Sequence, residues 1–110
     1  MNIDKSIRFD AIDWDDVPAE RHNGTTGFAL WKVKHAGDIR VRKVEYSPDY
    51  FADHWCSKGH VIFCVKGEMT TELKDGSKII MKEGMTYYVG DEADPHRSFS
   101  KDGVTLFIVD

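Results

Sequence analysis

The chain is poor in the features that assign a protein quickly. Cys56 and Cys64 are its 2 cysteines, too few for a disulfide framework. In a reducing compartment they are expected as free thiols or as a ligand. No basic tract appears and the net charge is −4, which argues against nucleic acid and anionic membranes as partners. No apolar run approaches the ~20 residues of a membrane helix. The opening "MNIDKSIRFDAIDWDD" lacks the apolar centre of a signal peptide, so a cytoplasmic location is the expectation. Helical periodicity is not sustained over about eleven residues anywhere. There is no repeat, linker, phosphate loop, Ser-His-Asp order or pair of carboxylates that would demand a hydrolase.

What is present fits one soluble globular domain. Apolar residues make up 41% and charged residues 31% of 110 residues, an ordinary balance in a chain long enough to bury a core without staples. Residues 1–27 read as an irregular arm. "DWDDVPAERHNGTTG" carries Pro18, Gly24 and Gly27 and has the composition of a loop. Ile7, Phe9, Ile12, Trp14 and Val17 are its apolar anchors, expected to pin it onto the body. The acids Asp10, Asp13, Asp15 and Asp16 read as a solvated loop.

From residue 28 to 110 short β-forming runs alternate with turn residues. They are "FALWKVK", "IRVRKVEY", "HVIFCVKG", "EMTTEL", "SKIIM", "MTYYV", "HRSFS" and "VTLFIV". Asp75-Gly76 and Asp102-Gly103 are strong turn signals. Strands in this number predict a β-sandwich or β-barrel. "VTLFIV" is apolar on both faces, which predicts a second layer or another subunit against its outer side.

The chain's 5 histidines are not spread evenly, since "DHWCSKGH" at residues 53–60 holds two of them beside a cysteine. In an extended segment His54 and Cys56 point the same way and Trp55 the other. A Ser57-Lys58-Gly59 turn would bring His60 back beside His54. His96 opens a later strand and supplies a further imidazole. Such a convergence of imidazoles, with or without a thiolate, is what a metal ion requires. His22 and His35, beside loop glycines, read as surface residues.

"DHWCSKGHVIFCVKGE" resembles the first motif of the cupins, schematically His-x-His, a short spacer, Glu, a longer spacer and Gly. Six residues separate His60 from Gly67, which puts His60 at the place of the motif glutamate. His54 and Cys56 fall on the two histidines. "GMTYYVGDEADPHRS" resembles the second motif and ends in His96, with Gly90 where that motif has Pro and a longer loop. The order of "YFADHWCSKGH", "KGE", "HRS" and "LFIVD" is similar to a group of small cupins with an Asp-His-Cys-Trp type of motif. The resemblance implies an all-β, single-domain cupin-like barrel, a double-stranded β-helix or jelly roll. It implies a divalent metal held by His54, His60 and His96, with or without Cys56. The donors suit Zn, Fe, Ni or Cu. It also implies a homodimer.

Strand parity extends the expectation to the cavity. If His60 faces inward, so do Ile62 and Cys64, and Ser98 shares a face with His96. These three would line the pocket, whereas Trp55 and Arg97 would point out. Tyr87 and Tyr88 lie on opposite faces, so one of them can line the cavity. Arg40 and Arg42 share a face and read as salt-bridged to surface acids, with a carboxylate ligand as the alternative if that face is interior. The functional expectation is a small cupin binding a metal and acting on a small organic molecule as an oxygenase, isomerase or lyase. The alternatives are a non-catalytic ligand-binding or sensor cupin, and a barrel that serves chiefly as a dimer partner.

Overall fold

The computed structural model describes residues 2–110. After a short 3-10 turn at Trp14–Asp16 come nine strands. They are β1 (Glu20–Asn23), β2 (Phe28–Ala36), β3 (Ile39–Tyr46), β4 (Tyr50–Phe51), β5 (His60–Leu73), β6 (Lys78–Lys82), β7 (Thr86–Val89), β8 (His96–Ser100) and β9 (Val104–Val109). All pairings between these strands are antiparallel, in the order β1-β2-β3-β9-β5-β8-β4, with β6 and β7 also on β5. The result is an all-β, curled half-barrel. Among the described residues no helix is long and apolar enough to cross a membrane.

Strand β5 explains how one ribbon serves two sheets. Its first half pairs with β7 and β9, its second half with β6 and β8. Between them the register with β9 shifts at Cys64/Lys66, a β-bulge that bends the strand. Gly67 follows with φ of +87°, and a Cβ there would lie 2.6 Å from the Gly103 carbonyl oxygen. The corner therefore needs glycine. The bulge also changes the phase of burial. His60, Ile62 and Cys64 face inward before it, Met69 and Thr71 after it. The "KG" that reads as a strand end in the sequence is thus a corner within one 14-residue strand.

The inward residues of six strands form the core. Ala29, Val44, Ile62, Cys64, Met69, Met81, Val104, Leu106 and Ile108 cluster with Tyr50. In register, Val44 faces Leu106 and Leu106 faces Cys64; one step along, Arg42 faces Ile108 and Ile108 faces Ile62. The next step brings Arg40, Asp110 and His60. Arg40 and Asp110 exchange backbone hydrogen bonds of 2.6 and 2.9 Å. The interior therefore passes from apolar to polar along the same strands.

The arm differs from the sequence expectation in two ways. Glu20–Asn23 is not irregular but extends the sheet by pairing with β2. Its burial pattern is mostly exposed, so it carries no apolar alternation for sequence reading to detect. Of the proposed anchors only Val17 is buried, whereas Phe9 is 99% exposed and Ile12 also faces solvent. Strand β4 was not legible either, being 2 residues long.

Candidate metal centre

Three donor groups meet at the polar end. One ligand atom from each of Cys56, His60 and His96 lies within 4.8 Å of the others. His60 and His96 are buried and Cys56 partly so. Each is placed by backbone pairing. His60 is the first residue of β5 and His96 the first of β8. Cys56 forms an isolated bridge to His96, with N–H···O=C distances of 2.7 and 3.0 Å in the two directions. Gly59 closes the approach to β5: its N–H donates to the Asp91 carboxylate at 2.7 Å. A Cβ at Gly59 would stand 2.6 Å from the Asp91 nitrogen.

The hydrogen bonds fix the chemistry of these donors. His96 Nδ1 lies 2.8 Å from the Asp94 carbonyl oxygen. A carbonyl only accepts, so Nδ1 carries the proton, and in the neutral ring Nε2 carries the lone pair. That Nε2 is 2.8 Å from His60 Nε2. His60 Nδ1 has no hydrogen-bond partner, although the Asp110 carboxylate is 3.5 Å away. Burial, aided by the charge of His96, pushes His60 down to about 4, so it is neutral at pH 7. The Cys56–His96 hydrogen bond lowers the cysteine and raises the histidine. His60 Nε2 then carries the proton of the 2.8 Å contact; metal binding would displace that proton and take Cys56 as the thiolate, steps open to a neutral imidazole and to a thiol with a lowered pKa. The donor set therefore fits a divalent cation.

His54 is not brought into this set. Residues 53 and 54 form a bend, so the alternation that would aim His54 and Cys56 together is broken. The His54 side chain is 75% exposed and its Nδ1 lies 2.5 Å from the Asp53 carboxylate. It lines the wall of the adjoining cavity without joining the three donors. The chain from Ala52 to Cys56 runs along β8, with Ala52 donating to the Ser98 carbonyl at 3.0 Å, rather than turning His60 back onto His54.

The cavity beside the donors has a volume of about 360 Å³. Ile62 and Ser98 line it. Cys64 does not: it is fully buried in the apolar core, two residues and roughly 7 Å further along β5 than Ile62, and burial raises its thiol pKa. Trp55 and Arg97 are also corrected. Both reach the cavity wall, and the Arg97 guanidinium lies 4.3 Å from the Trp55 ring centre, with Lys74 at 4.2 Å on the same ring. Tyr87 lines the cavity and Tyr88 faces solvent. The Tyr87 hydroxyl is 3.4 Å from His60 Nε2.

Arg40 and Arg42 are interior and their acid is not a surface one. Arg40 makes a forked pair with Asp110 at 2.8 and 3.0 Å, and Arg42 Nη2 donates to the same carboxylate at 2.8 Å. The Asp110 side chain has no solvent exposure. Burial pushes its carboxyl up, but the Arg40 hydrogen bond and the charges of Arg42 and Arg40 more than offset this and hold it at about 2. The sequence reading missed Asp110. The signal was parity: Asp110 continues the inward set Val104, Leu106, Ile108.

No family model matches the chain and no curated protein matches it. Solved structures do. HppE in its Fe(II) form aligns over 99% of this chain and 62% of its own, at 13% identity and a TM-score of 0.74. Ectoine synthase from P. lautus aligns over 92% and 76%, at 10% identity and a TM-score of 0.71. A cupin-2 domain containing protein from Shewanella frigidimarina aligns over 73% and 78%, at 15% identity and a TM-score of 0.60. The chain has the cupin fold. Within this fold the three donors come from the segment before β5, from the start of β5 and from the start of β8.

Proposed function

We propose that this cupin binds a divalent metal through Cys56, His60 and His96, and that the adjoining cavity receives a small organic molecule. The observation carrying the reading is the meeting of three donors beside a cavity. The Fe(II) form of HppE shows that this fold can hold such an ion. A bound ion would supply Lewis acidity toward a ligand oxygen. The chain's own residues do the remaining work. The Asp94 carbonyl holds His96 in the tautomer that presents Nε2. Tyr87, packed edge-on to both imidazoles at 5.9 Å, restrains their tilt. Burial raises its pKa, so it remains a neutral hydrogen-bond donor. Three protein ligands leave a position free at a four-coordinate ion, the arrangement of catalytic rather than closed structural sites. Zinc and cobalt titrations of tag-free protein, followed by calorimetry and the thiolate-to-cobalt absorption band, test the reading. One equivalent bound with a thiolate band is expected. Absence of saturable binding overturns it.

A homodimer is the second part of the proposal. Val61 and Phe63 are each 40% exposed, Phe107 36% and Tyr88 83%. These four are contiguous on the outer face, since Phe63 pairs with Phe107 and Val61 with Tyr88. An exposed apolar cluster on a sheet is the surface a second copy would cover. Sedimentation should give a dimer that Phe63→Glu dissociates; a monomer at micromolar concentration overturns it.

A further inference from the structure

The cavity wall is strongly biased in charge. The whole chain has 19 acidic and 15 basic side chains, yet the wall carries Arg40, Arg42, Lys58 and Arg97 and no Asp or Glu. Asp110 stands outside the wall and neutralises part of that charge through its bonds to both arginines. Arg42 is 5% exposed, and its Nε–H is buried without a hydrogen-bond partner among the described residues. A buried N–H without a partner is costly even on a guanidinium whose charge is paired, and a ligand that accepts from it would remove the cost. The guanidinium is held rather than free to swing out, because it stacks on Trp31 at 4.5 Å from the ring centre. Around it the wall is aromatic: Trp31, Tyr46, Tyr50, Trp55 and Tyr87.

From this arrangement we infer that the ligand is a small monocarboxylate with an apolar, planar body, its carboxylate directed to Arg42 and Arg40 and its body set among the aromatic rings. The inference rests on the reading of this cavity as the functional site and names the ligand class it takes. A carboxylate carries a single negative charge and matches the guanidinium fork. A phosphate monoester carries about −1.5 to −2 and would bring that charge close to the Asp110 carboxylate already bound to both arginines. A neutral ligand would offer the Arg42 donor no charged acceptor. The Arg40–Asp110 pair is already satisfied in a forked geometry. Arg42 is therefore the anchoring cation and Arg40 holds Asp110 in place.

The test uses benzoate as probe, with benzamide and inorganic phosphate as controls. Quenching of tryptophan fluorescence reports binding, since Trp31 and Trp55 line the cavity. Each titration is run on chelator-treated and on zinc-loaded protein. Benzoate is expected to saturate in both forms, at least about tenfold more tightly than benzamide or phosphate. Such a ratio corresponds to the loss of one charge-assisted hydrogen bond. Arg42→Lys keeps the charge but removes the Nε donor, and should weaken benzoate by about tenfold while leaving benzamide unchanged. If Arg42→Lys does not fold, Arg40→Gln at the more exposed member of the pair serves instead, with a smaller loss expected. Equal affinity for benzoate and benzamide overturns the inference, as does tighter binding of phosphate or no saturable benzoate binding to folded protein. The metal reading fails separately. A chelator-treated protein that prefers benzoate but takes up no zinc would keep the carboxylate site and discard the metal.

Discussion

The two ends of the barrel interior are built from the same strands and differ in everything but backbone. At one end Val44, Leu106, Cys64, Met69 and Met81 are each at most 1% exposed. Two to four residues along β3, β9 and β5 stand Arg42, Arg40, Asp110 and His60, also turned inward. The apolar end is stabilised by burial and close packing. The polar end loses hydration and must recover it through paired charges and hydrogen bonds. It does so incompletely: Arg42 Nε and His60 Nδ1 lack partners. The packed end thus holds the sheet's curvature, and the other end keeps unsatisfied groups available to a ligand.

That contrast is most directly broken from the apolar side. Leu106 is fully buried and faces Val44 and Cys64 across its two ladders. Leu106→Ala should cost about 3–5 kcal/mol, the upper part of the range for a leucine that leaves a cavity. Urea unfolding would measure it. Zinc affinity of the folded fraction should be unchanged, because no donor residue touches the packed layer through the register. A large loss of zinc affinity would show that the two ends are not separable.

At the polar end the largest effect is expected at Asp110. Asp110→Ala leaves Arg40 and Arg42 side by side without their shared carboxylate. Removing one partner of a buried pair costs ~3–5 kcal/mol. The cavity lets water reach these groups, so about 2–3 kcal/mol is the expected loss in the same unfolding experiment. Asp110 is depressed to about 2 by the arginines, so the wild type has this stabilisation in full at neutral pH. A loss below that of an exposed surface substitution would mean that the arginines find other acceptors.

The metal gives an effect of similar size and opposite sign. Ligand binding to the folded state alone stabilises it by ~2.7 kcal/mol at a hundredfold excess over the dissociation constant. Zinc should raise the unfolding midpoint of the wild type to this extent. His96→Ala should remove the response, and a chelator should reverse it. Stabilisation by zinc that persists in His96→Ala would place the ion elsewhere.

How much of this was legible in the sequence follows the same division. Runs of β-forming residues bounded by turn residues made most strands readable: "IRVRKVEY", "HRSFS" and "VTLFIV" match β3, β8 and β9. Strand β1 was hidden because both its faces are largely exposed. The two halves of β5 read as separate strands because a glycine with positive φ looks like a turn when it is a corner. Inside the site, the clustering of histidines brought out His60 and His96, and parity from them brought out Ile62 and Ser98, all on regular strands. It failed for His54 and Trp55, whose segment bends, and for Cys64, which faces inward but sits below the cavity. Asp110 was missed although parity continues the inward set of β9 to it, because a lone acid after an apolar strand does not reveal its partners. Its meaning comes from Arg40 and Arg42, some 70 residues earlier in the chain.

His54 therefore decides between the linear pattern and the folded geometry. The motif resemblance makes it a ligand equal to His60. The structure leaves it 75% exposed and bonded to Asp53, at the rim of the cavity. If Cys56, His60 and His96 are the donors, His54→Ala should change zinc affinity by no more than about threefold, or ~0.7 kcal/mol. Stability should shift by less than about 0.5 kcal/mol, as for other surface substitutions. Cys56→Ala, made in parallel, should abolish the thiolate-to-cobalt band and lower zinc affinity by far more. The opposite ranking, with His54→Ala the more damaging, would mean that the bend at residues 53–54 straightens when metal binds. The donor set would then be the three histidines of the motif, and Cys56 would be left as a thiol held beside His96 by its backbone bridge.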